Sequence, residues 1–230
     1  KKAKGRIKIV FGCGSNCTDH AVSAAKQAEA IGADGLLAVT PYYNKCTQNG
    51  LYAYYKSICE AVKIPVIAYN VPSRTGVNIQ PATMARIAEI PNMAGIKDAG
   101  GNMSQTMEIF RSIRGKCDLY SGEDALNFPI LAVGGSGVIS VLSNVVPADV
   151  KKLYTLIKEG RTEEACALQD KLLPLSQACF LEVNPIPAKA AMNLLGFDAG
   201  TPRAPLSEIE PNNKEKLRKA MADYGLEIKA

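Results

Sequence analysis

Residues 93–98 read Met-Ala-Gly-Ile-Lys-Asp, an apolar run that ends on an amine and an acid. The preceding apolar run, at 64–70, reads Ile-Pro-Val-Ile-Ala-Tyr-Asn and reaches a phenol near its end. Short, continuous apolar runs are typical of parallel strands that are covered on both faces. If the two runs are neighbouring strands, about 4.8 Å apart, the amine of Lys97 and the phenol of Tyr69 converge at one end of a sheet.

Strand-like and helix-like segments alternate along most of the chain. Strands are predicted over 7–11, 35–40, 64–70, 93–98, 117–121 and 137–141. Helices are predicted between them over 18–31, 50–62, 80–89, 104–113 and 124–133, and Thr18 and Asp19 are cap candidates for the first. After the last strand only helices are predicted, over 147–159, 162–180, 187–195 and 213–223. This spacing indicates parallel βαβ units, and therefore an α/β fold.

An open doubly wound sheet and a (β/α)8 barrel both fit this order of elements. Gly12-Cys-Gly14 suggests a dinucleotide-binding loop, but Cys17 stands where the third glycine belongs. Polar and aromatic residues gather instead at the predicted carboxyl ends of strands, where barrel enzymes collect their chemistry. These residues are Tyr42, Tyr43, Tyr69, Lys97, Ser121 and Ser140. We therefore predict a (β/α)8 TIM barrel.

A closed barrel of this kind has eight strands, whereas six are predicted from the sequence. We expect the first two βα units to be missing, which also fits a first residue other than Met. The sheet edges at 7–11 and 137–141 would then be open. The predicted organisation is a partial barrel over 1–146 and a C-terminal helical region over 147–230.

Composition narrows the functional classes. The net charge of +5 is modest and the basic cluster at 1–8 has no interleaved aromatic residues, so no nucleic-acid partner is predicted. The apolar runs are shorter than the roughly 20 residues of a membrane span.

Seven widely spread cysteines favour free thiols in the cytoplasm. Cys13, Cys17 and His20 have a loosely metal-like spacing without a second ligand pair, so no metal site is predicted. Since His20 is the only histidine, histidine-based mechanisms are excluded unless His20 itself serves.

An amine beside a phenol suits Schiff-base chemistry on a carbonyl substrate. Met93, Gly95 and Lys97 share one face of their strand, and burial of that face would lower the pKa of the Lys97 amine. Tyr69 is then a candidate proton shuttle, and the loop residue Arg74 is a candidate carboxylate ligand. The alternatives are a surface lysine with a buried stem, a core tyrosine and a solvated arginine.

Six segments carry a family resemblance. They are Val39-Thr-Pro-Tyr-Tyr-Asn44, Tyr69-Asn-Val-Pro-Ser-Arg-Thr-Gly76, Gly95-Ile-Lys-Asp98, Ser121-Gly-Glu-Asp124, Gly137-Val-Ile-Ser140 and Asn184-Pro-Ile-Pro187. In order and spacing they resemble dihydrodipicolinate synthase, a family of the class I aldolase group that includes N-acetylneuraminate lyase. Arg74 favours the synthase, because the equivalent loop of the lyase lacks that arginine.

The resemblance implies a lyase of the diaminopimelate branch of lysine biosynthesis, which condenses pyruvate with L-aspartate 4-semialdehyde without a separate cofactor. Lys97 would form a Schiff base with pyruvate, Tyr69 would relay protons, and Arg74 would hold the carboxylate of the second substrate. The family tyrosine that matches Tyr43 reaches across a dimer interface into the proton relay of the neighbouring subunit. The resemblance therefore implies that Tyr43 is catalytic and that the protein is a homodimer or homotetramer.

Other positions of the family are only partly represented. Gly122 and Ile139 match positions that line the pyruvate pocket, and Asn16 and Tyr42 match positions of a lysine feedback site. His20 replaces an acid there, which argues against feedback inhibition, and its spacing from Asn16 also fits an ordinary helical turn. The Thr-Thr-Gly-Glu motif of the family is absent, so we expect these 230 residues alone to be inactive. The alternatives are a related pyruvate aldolase acting on a sugar acid, and a truncated, non-catalytic chain that keeps the oligomer surface.

Overall fold

The structure, a computed structural model, describes residue 3 and residues 5–229. These residues form two compact units. The first extends to Ser121 and also includes Val133–Ser136, and the second comprises Gly122–Ala132 and the chain from Gly137 onward. The predicted division between 146 and 147 stays a prediction.

Parallel strands in chain order form the sheet of the first unit. They are β1 (Val10–Gly12), β2 (Gly35–Val39), β3 (Val66–Asn70), β4 (Met93–Asp98) and β5 (Asp118–Ser121), and each pairs with the next. Parallel neighbours need crossover connections. These contain α1 (Thr18–Ala30), α2 (Gln48–Ala61), α3 (Pro72–Thr75), α4 (Pro81–Ile87) and α5 (Met103–Ile113). The predicted α/β fold is confirmed.

The two faces of this sheet differ in burial. From β2 to β5, one face contributes the buried side chains of Leu36, Ala38, Val66, Ala68, Ile96 and Leu119 to the core. Successive side chains of a strand point to opposite faces, and the alternate positions, among them Val39, Tyr69 and Lys97, are only half-buried. Continuous apolar strands had predicted cover on both faces. The half-buried face is the one that carries the amine and the phenol.

The first strand lies at the end of the strand order. It was predicted over 7–11 and is found at Val10–Gly12, because only these residues pair with β2. Its apolar side chains remain accessible, with Ile7 64%, Ile9 41%, Val10 48% and Phe11 43% exposed. In the described part of the chain, the outer edge of β1 is therefore open, as expected.

Local side-chain contacts shift several predicted helix boundaries. Thr18 and Asp19 do not cap α1, since the residue before the helix is Cys17 and its side chain makes no cap hydrogen bond. Thr47 caps α2 by accepting a hydrogen bond from the Gly50 amide, so the helix begins at Gln48 rather than at residue 50. Asn102 caps α5 in the same way, so this helix begins at Met103, one residue before the predicted start at Ser104.

The second unit is mostly helical. It contains α6 (Asn127–Ala132), the short β6 (Gly137–Val138), α7 (Pro147–Lys158), α8 (Thr162–Ala178), α9 (Ile186–Leu194) and α10 (Pro211–Tyr224). Their apolar faces share one core, which includes Leu153, Leu156, Leu172, Leu175, Leu217 and Met221. The predicted C-terminal helices are confirmed. Within the described residues, no helix combines the length and the apolar character that crossing a bilayer requires.

The second unit differs from the sequence prediction at two points, and Asp124 takes part in both. Its Oδ2 accepts hydrogen bonds from the amides of Val141 and Leu142, both at 2.9 Å. These amides are turned away from strand pairing, so β6 ends at Val138 instead of residue 141. The segment predicted as a helix over 124–133 begins with a 3-10 turn at Asp124–Leu126, and α6 follows it.

Candidate active site

The amine of Lys97 lies over the ring of Tyr69. The two residues are register partners on β4 and β3, so their side chains leave the same face of the sheet. Lys97 Nζ is 4.1 Å from the centre of the Tyr69 ring. A cation within about 6 Å of an aromatic ring is attracted by the electron-rich face. The predicted convergence of the amine and the phenol is therefore observed.

The hydroxyl of Tyr69 is held in its neutral form. Burial raises the pKa of Tyr69 above its ordinary value, and the nearby positive charge of Arg74 offsets part of that rise. A phenol with a raised pKa is protonated at neutral pH and can donate a proton to a neighbouring group. The same interaction shows that Arg74 is close enough to influence this end of β3.

Arg74 belongs to α3, a single helical turn directly after β3. Pro72 occupies the first turn, where its missing N–H is not needed, and Gly76 closes the turn with a φ of 71°. This Pro and Gly arrangement is a strong local signal, and it places Arg74 on an exposed position. A Cβ at Gly76 would lie 3.0 Å from Lys45 Cε, so the stem of Lys45 lies over the end of this turn.

A buried hydroxyl pair links the loop after β2 to α3. Thr40 Oγ1 donates to Thr75 Oγ1 at 3.0 Å, and both side chains are buried.

Beyond Thr40, Tyr42 is 41% exposed and Tyr43 is 89% exposed. Tyr43 has a φ of 72°, in the left-handed region that costs a non-glycine residue free energy. Thus Tyr43 projects from the surface on a strained backbone, and Tyr42 is the less exposed of the two.

The three feedback-site candidates lie in two places. Asn16 and His20 are exposed, and His20 is on the first turn of α1. The Asn16 carbonyl accepts a hydrogen bond from Asn44 Nδ2 at 2.8 Å, which ties this position to the loop of Tyr42. The structure therefore brings Asn16 close to the loop of Tyr42, and His20 stands on an open helix surface.

The two pyruvate-pocket candidates belong to the second unit. Gly122 and Ile139 are both half-buried, and Ile139 directly follows β6. The amides of Val141 and Leu142 donate hydrogen bonds to Asp124 Oδ2, and these bonds fix the segment that follows Ile139.

Gly95 shares the face of Lys97, as predicted, and its missing side chain makes room for the neighbouring strand. A Cβ at Gly95 would lie 2.7 Å from the Asp118 carbonyl oxygen and 3.1 Å from Tyr120 Cε2. The space that glycine leaves is used by the neighbouring strand β5, which approaches β4 closely there.

Sequence reasoning missed a buried polar group directly behind the pair. Asn70 and Asp98, the residues that follow Tyr69 and Lys97, are 0% and 2% exposed. Their side chains are joined by a hydrogen bond of 3.0 Å. The sequence did contain a signal for this group, because an Asn and an Asp directly follow Tyr69 and Lys97. Since side chains alternate along a strand, these two point to the opposite face of the sheet, on the side of the helices.

Among the described residues, the buried thiols of Cys13 and Cys59 are poor alternatives to Lys97 as a nucleophile. Burial raises the pKa of Cys13 to about 11 and the pKa of Cys59 to about 12, and a protonated thiol is a poor nucleophile. In the part of the chain that the structure describes, no group of His, Cys, Asp or Glu side chains is placed to hold a metal ion.

The fold and the pair define the class of protein. It is a β/α enzyme with a lysine amine and a neutral phenol at the carboxyl ends of adjacent parallel strands. The chain belongs to the dihydrodipicolinate synthetase family, whose sequence model matches residues 1–223.

Individual relatives agree with this placement. The chain is 50% identical over 228 residues to the 4-hydroxy-tetrahydrodipicolinate synthase of Caldicellulosiruptor bescii, which covers 99% of this chain and 77% of the relative. It is 41% identical, with a TM-score of 0.94, to the structure of the chloride-inhibited dihydrodipicolinate synthase of Acinetobacter baumannii complexed with pyruvate. The match covers 98% of this chain and 77% of that one. It is 42% identical, with a TM-score of 0.95, to the structure of a monomeric dihydrodipicolinate synthase variant. That match covers 98% of this chain and 76% of the variant.

Proposed function

We propose that the chain condenses pyruvate with L-aspartate 4-semialdehyde to give 4-hydroxy-tetrahydrodipicolinate, the first step of the diaminopimelate branch of lysine biosynthesis. The observation that carries the proposal is the position of Lys97 Nζ, 4.1 Å from the centre of the Tyr69 ring on the half-buried face of the sheet. The relative from Caldicellulosiruptor bescii, whose name is that of this synthase, and the related structure that holds pyruvate support the choice of reaction.

In the first half of the proposed reaction, the neutral amine of Lys97 attacks the ketone carbon of pyruvate. The resulting carbinolamine loses water to form an imine, and its hydroxyl group must take up a proton to leave as water. We propose that the neutral hydroxyl of Tyr69 supplies that proton and recovers it afterwards. Loss of a methyl proton from the imine then gives an enamine.

In the second half, the enamine carbon attacks the aldehyde carbon of the semialdehyde, and the aldehyde oxygen becomes a hydroxyl. The amino group of the second substrate then displaces Lys97 from the imine carbon and closes the ring. Lysine is regenerated and one water is released overall. We propose that the reaction needs no external cofactor, because the covalent imine on Lys97 is itself the electron sink.

Arg74 is proposed to bind the carboxylate of the semialdehyde. Arg74 is exposed, yet close enough to Tyr69 that its positive charge offsets part of the rise that burial causes in the pKa of that phenol. An exposed arginine beside the pair suits a substrate that arrives after pyruvate, and guanidinium groups pair with carboxylates through two parallel hydrogen bonds. Gly122 and Ile139 are proposed to line the pyruvate pocket, and a feedback role for Asn16, His20 and Tyr42 stays a prediction.

Reductive trapping tests the central step. The full-length protein is incubated with pyruvate and borohydride, digested and analysed by mass spectrometry. The proposal expects a reduced pyruvate adduct on Lys97. Lys97→Arg is the matched control, because it keeps the positive charge and cannot form the imine. An adduct on another residue, or none in the wild-type protein, contradicts the proposal.

A comparison of aldehydes tests the second substrate. Turnover is measured with aspartate semialdehyde and with sugar-derived aldehydes, in the wild-type protein and in Arg74→Ala. We expect the variant to raise KM for the semialdehyde by about 10-fold to 100-fold, the loss expected for a charge-assisted carboxylate contact. Preference for a sugar-derived aldehyde would instead identify a sugar-acid aldolase.

The oligomeric state is a separate proposal. We propose a homodimer or homotetramer in which Tyr43 contacts the partner, because it is 89% exposed and held on a left-handed backbone. One similar structure is that of a monomeric variant, so the family fold alone does not impose assembly. Sedimentation of wild type and Tyr43→Ala is the test, and a wild-type monomer contradicts the proposal.

A further inference from the structure

Behind Lys97 and Tyr69, the next residue of each strand enters a buried network of polar side chains. The register that pairs Tyr69 with Lys97 also pairs Asn70 with Asp98. Because side chains alternate along a strand, the second pair points to the opposite face of the sheet. Thr106, on α5, completes the network and is 1% exposed. The reacting pair and the network are thus attached to the same two strand ends.

Asp98 is the centre of the network. Its Oδ1 accepts hydrogen bonds from Asn70 Nδ2 at 3.0 Å and from the Gly100 amide at 3.2 Å. Its Oδ2 accepts one from the hydroxyl of Thr106 at 2.6 Å. A buried carboxyl group is tolerated only when its oxygens have such partners. Because Oδ1 has two donors, it keeps one if the other is removed, whereas removing the Thr106 hydroxyl takes from Oδ2 the donor that the structure describes for it.

Asn70 uses both ends of its amide. Its Nδ2 donates to Asp98 and also to Asn78 Oδ1 at 3.0 Å, and its Oδ1 accepts from the Ile79 amide at 3.0 Å. The carbonyl of Asn70 accepts from the Ala99 amide at 2.9 Å. These bonds join the end of β3 both to the end of β4 and to the segment that leads into α4.

Thr106 connects α5 to this network. Its hydroxyl has one proton, and two acceptors lie within reach, Asp98 Oδ2 at 2.6 Å and the Asn102 carbonyl at 3.0 Å. The bond to the carboxyl group is the shorter one, and hydrogen bonds to carboxylates are shorter and stronger than neutral ones. The proton therefore belongs on the Asp98 side, and α5 is anchored directly behind Lys97.

We propose that Asn70, Asp98 and Thr106 are positioning residues for the reaction. They hold the ends of β3 and β4 in the register that sets Lys97 Nζ against Tyr69 and against the incoming carbonyl carbon. The inference rests on the proposed function, because it assigns the network an effect on imine formation. An error of about 1 Å in such a geometry can lower a rate by about 100-fold.

The test uses Thr106→Val, which keeps the shape of the side chain and removes the hydroxyl. The rate of imine formation is measured by quenching the full-length protein and pyruvate with borohydride at increasing times. We expect a rate about 10-fold to 100-fold below wild type, and a pyruvate Kd within about threefold of wild type. Thr106→Ser restores the hydroxyl and is expected to recover most of the rate.

Ile109→Val is the matched control. Ile109 is fully buried on the same helix, and the change removes one methyl group without touching a hydrogen bond. Both valine variants should lower Tm by a few degrees, but only Thr106→Val should slow imine formation at a temperature where circular dichroism shows all variants folded. Equal slowing in the two variants, or no slowing in either, overturns the inference.

Gly100→Ala is a second route that removes no hydrogen-bonding group. A Cβ at Gly100 would lie 3.2 Å from Asp98 Oδ1 and 3.5 Å from Asn70 Nδ2, so the alanine displaces the network by a few tenths of an ångström. Slower imine formation in a folded Gly100→Ala protein supports the inference, and a wild-type rate contradicts it.

The wild-type protein tells apart the failure of this inference and the failure of the proposed function. If the wild-type protein gives no adduct on Lys97, both are overturned. If it is trapped normally and the variants form the imine at its rate, only the positioning role is overturned.

Discussion

Lys97 and Tyr69 are register partners on adjacent parallel strands, and the Lys97 amine lies 4.1 Å from the centre of the Tyr69 ring. The contact is with the face of the ring, whereas the proton that the proposed reaction needs is on the hydroxyl at its rim. The ring and the hydroxyl therefore make separable contributions. The ring holds the amine in place, and the hydroxyl moves the proton.

Tyr69→Phe separates these contributions. It keeps the aromatic face under Lys97 and removes the proton donor for carbinolamine dehydration, so the imine should still form on Lys97 but more slowly, and kcat should fall by about 10²-fold to 10⁴-fold. Tyr69→Leu, which also removes the ring, should slow trapping further than Tyr69→Phe does. Steady-state kinetics and time-resolved trapping are the measurements. A wild-type kcat in Tyr69→Phe would show that Tyr69 is not the proton shuttle.

The pair was predictable because it depends on short-range periodicity. Apolar runs located β3 and β4, and the period of two placed Met93, Gly95 and Lys97 on one face. The strand bounds of β4 agree with the prediction at both ends. Strand edges were less predictable, since the apolar residues Ile7 and Ile9 look like a strand but lie before the segment that pairs with β2.

The network behind the pair was not predictable from local pattern. Thr106 is 8 residues from Asp98, and Asn70 is 28 residues from it, so only the folded arrangement of α5, β3 and β4 brings them together. The early end of β6 has the same origin, because the acceptor that captures the Val141 amide is Asp124, 17 residues away. By contrast, α3 was readable in principle, since Pro72 and Gly76 mark its two ends.

Close packing of β5 against β4 predicts a cost for any side chain at Gly95. In Gly95→Ala the new Cβ would lie 2.7 Å from the backbone oxygen of Asp118, which cannot rotate away. We expect the free energy of unfolding to fall by about 1–3 kcal/mol. Gly12→Ala is the control, because a Cβ at Gly12 meets no atom within 4 Å. Urea denaturation of both variants is the measurement, and equal stability would contradict the steric argument.

The accessible edge of β1 predicts self-association of the 230-residue chain. Val10 is 48% exposed on a strand whose outer edge is open, and such edges pair with other strands unless a charge interrupts them. Val10→Lys should reduce the sedimenting fraction after expression. Ile31→Lys removes a side chain that is 74% exposed but lies just past the end of α1, so it should have a much smaller effect. Similar improvement in both variants would point to general hydrophobicity rather than to the strand edge.

The buried thiol of Cys179 predicts a loss of stability at alkaline pH. Burial, aided by the nearby Asp124 carboxylate, raises the pKa of Cys179 from 9.0 to about 12. Between these values the unfolded chain has lost the proton and the folded chain retains it, so the unfolded state binds fewer protons and the free energy of unfolding falls as pH rises. Cys179→Ala lowers stability at every pH by leaving a small cavity, but it should flatten this decline by at most about 1.4 kcal/mol per pH unit. Cys166→Ala, at an exposed thiol, should leave the slope unchanged. Denaturant titrations across this pH range decide the matter, and an unchanged slope in Cys179→Ala would mean that the folded thiol ionises as readily as the unfolded one.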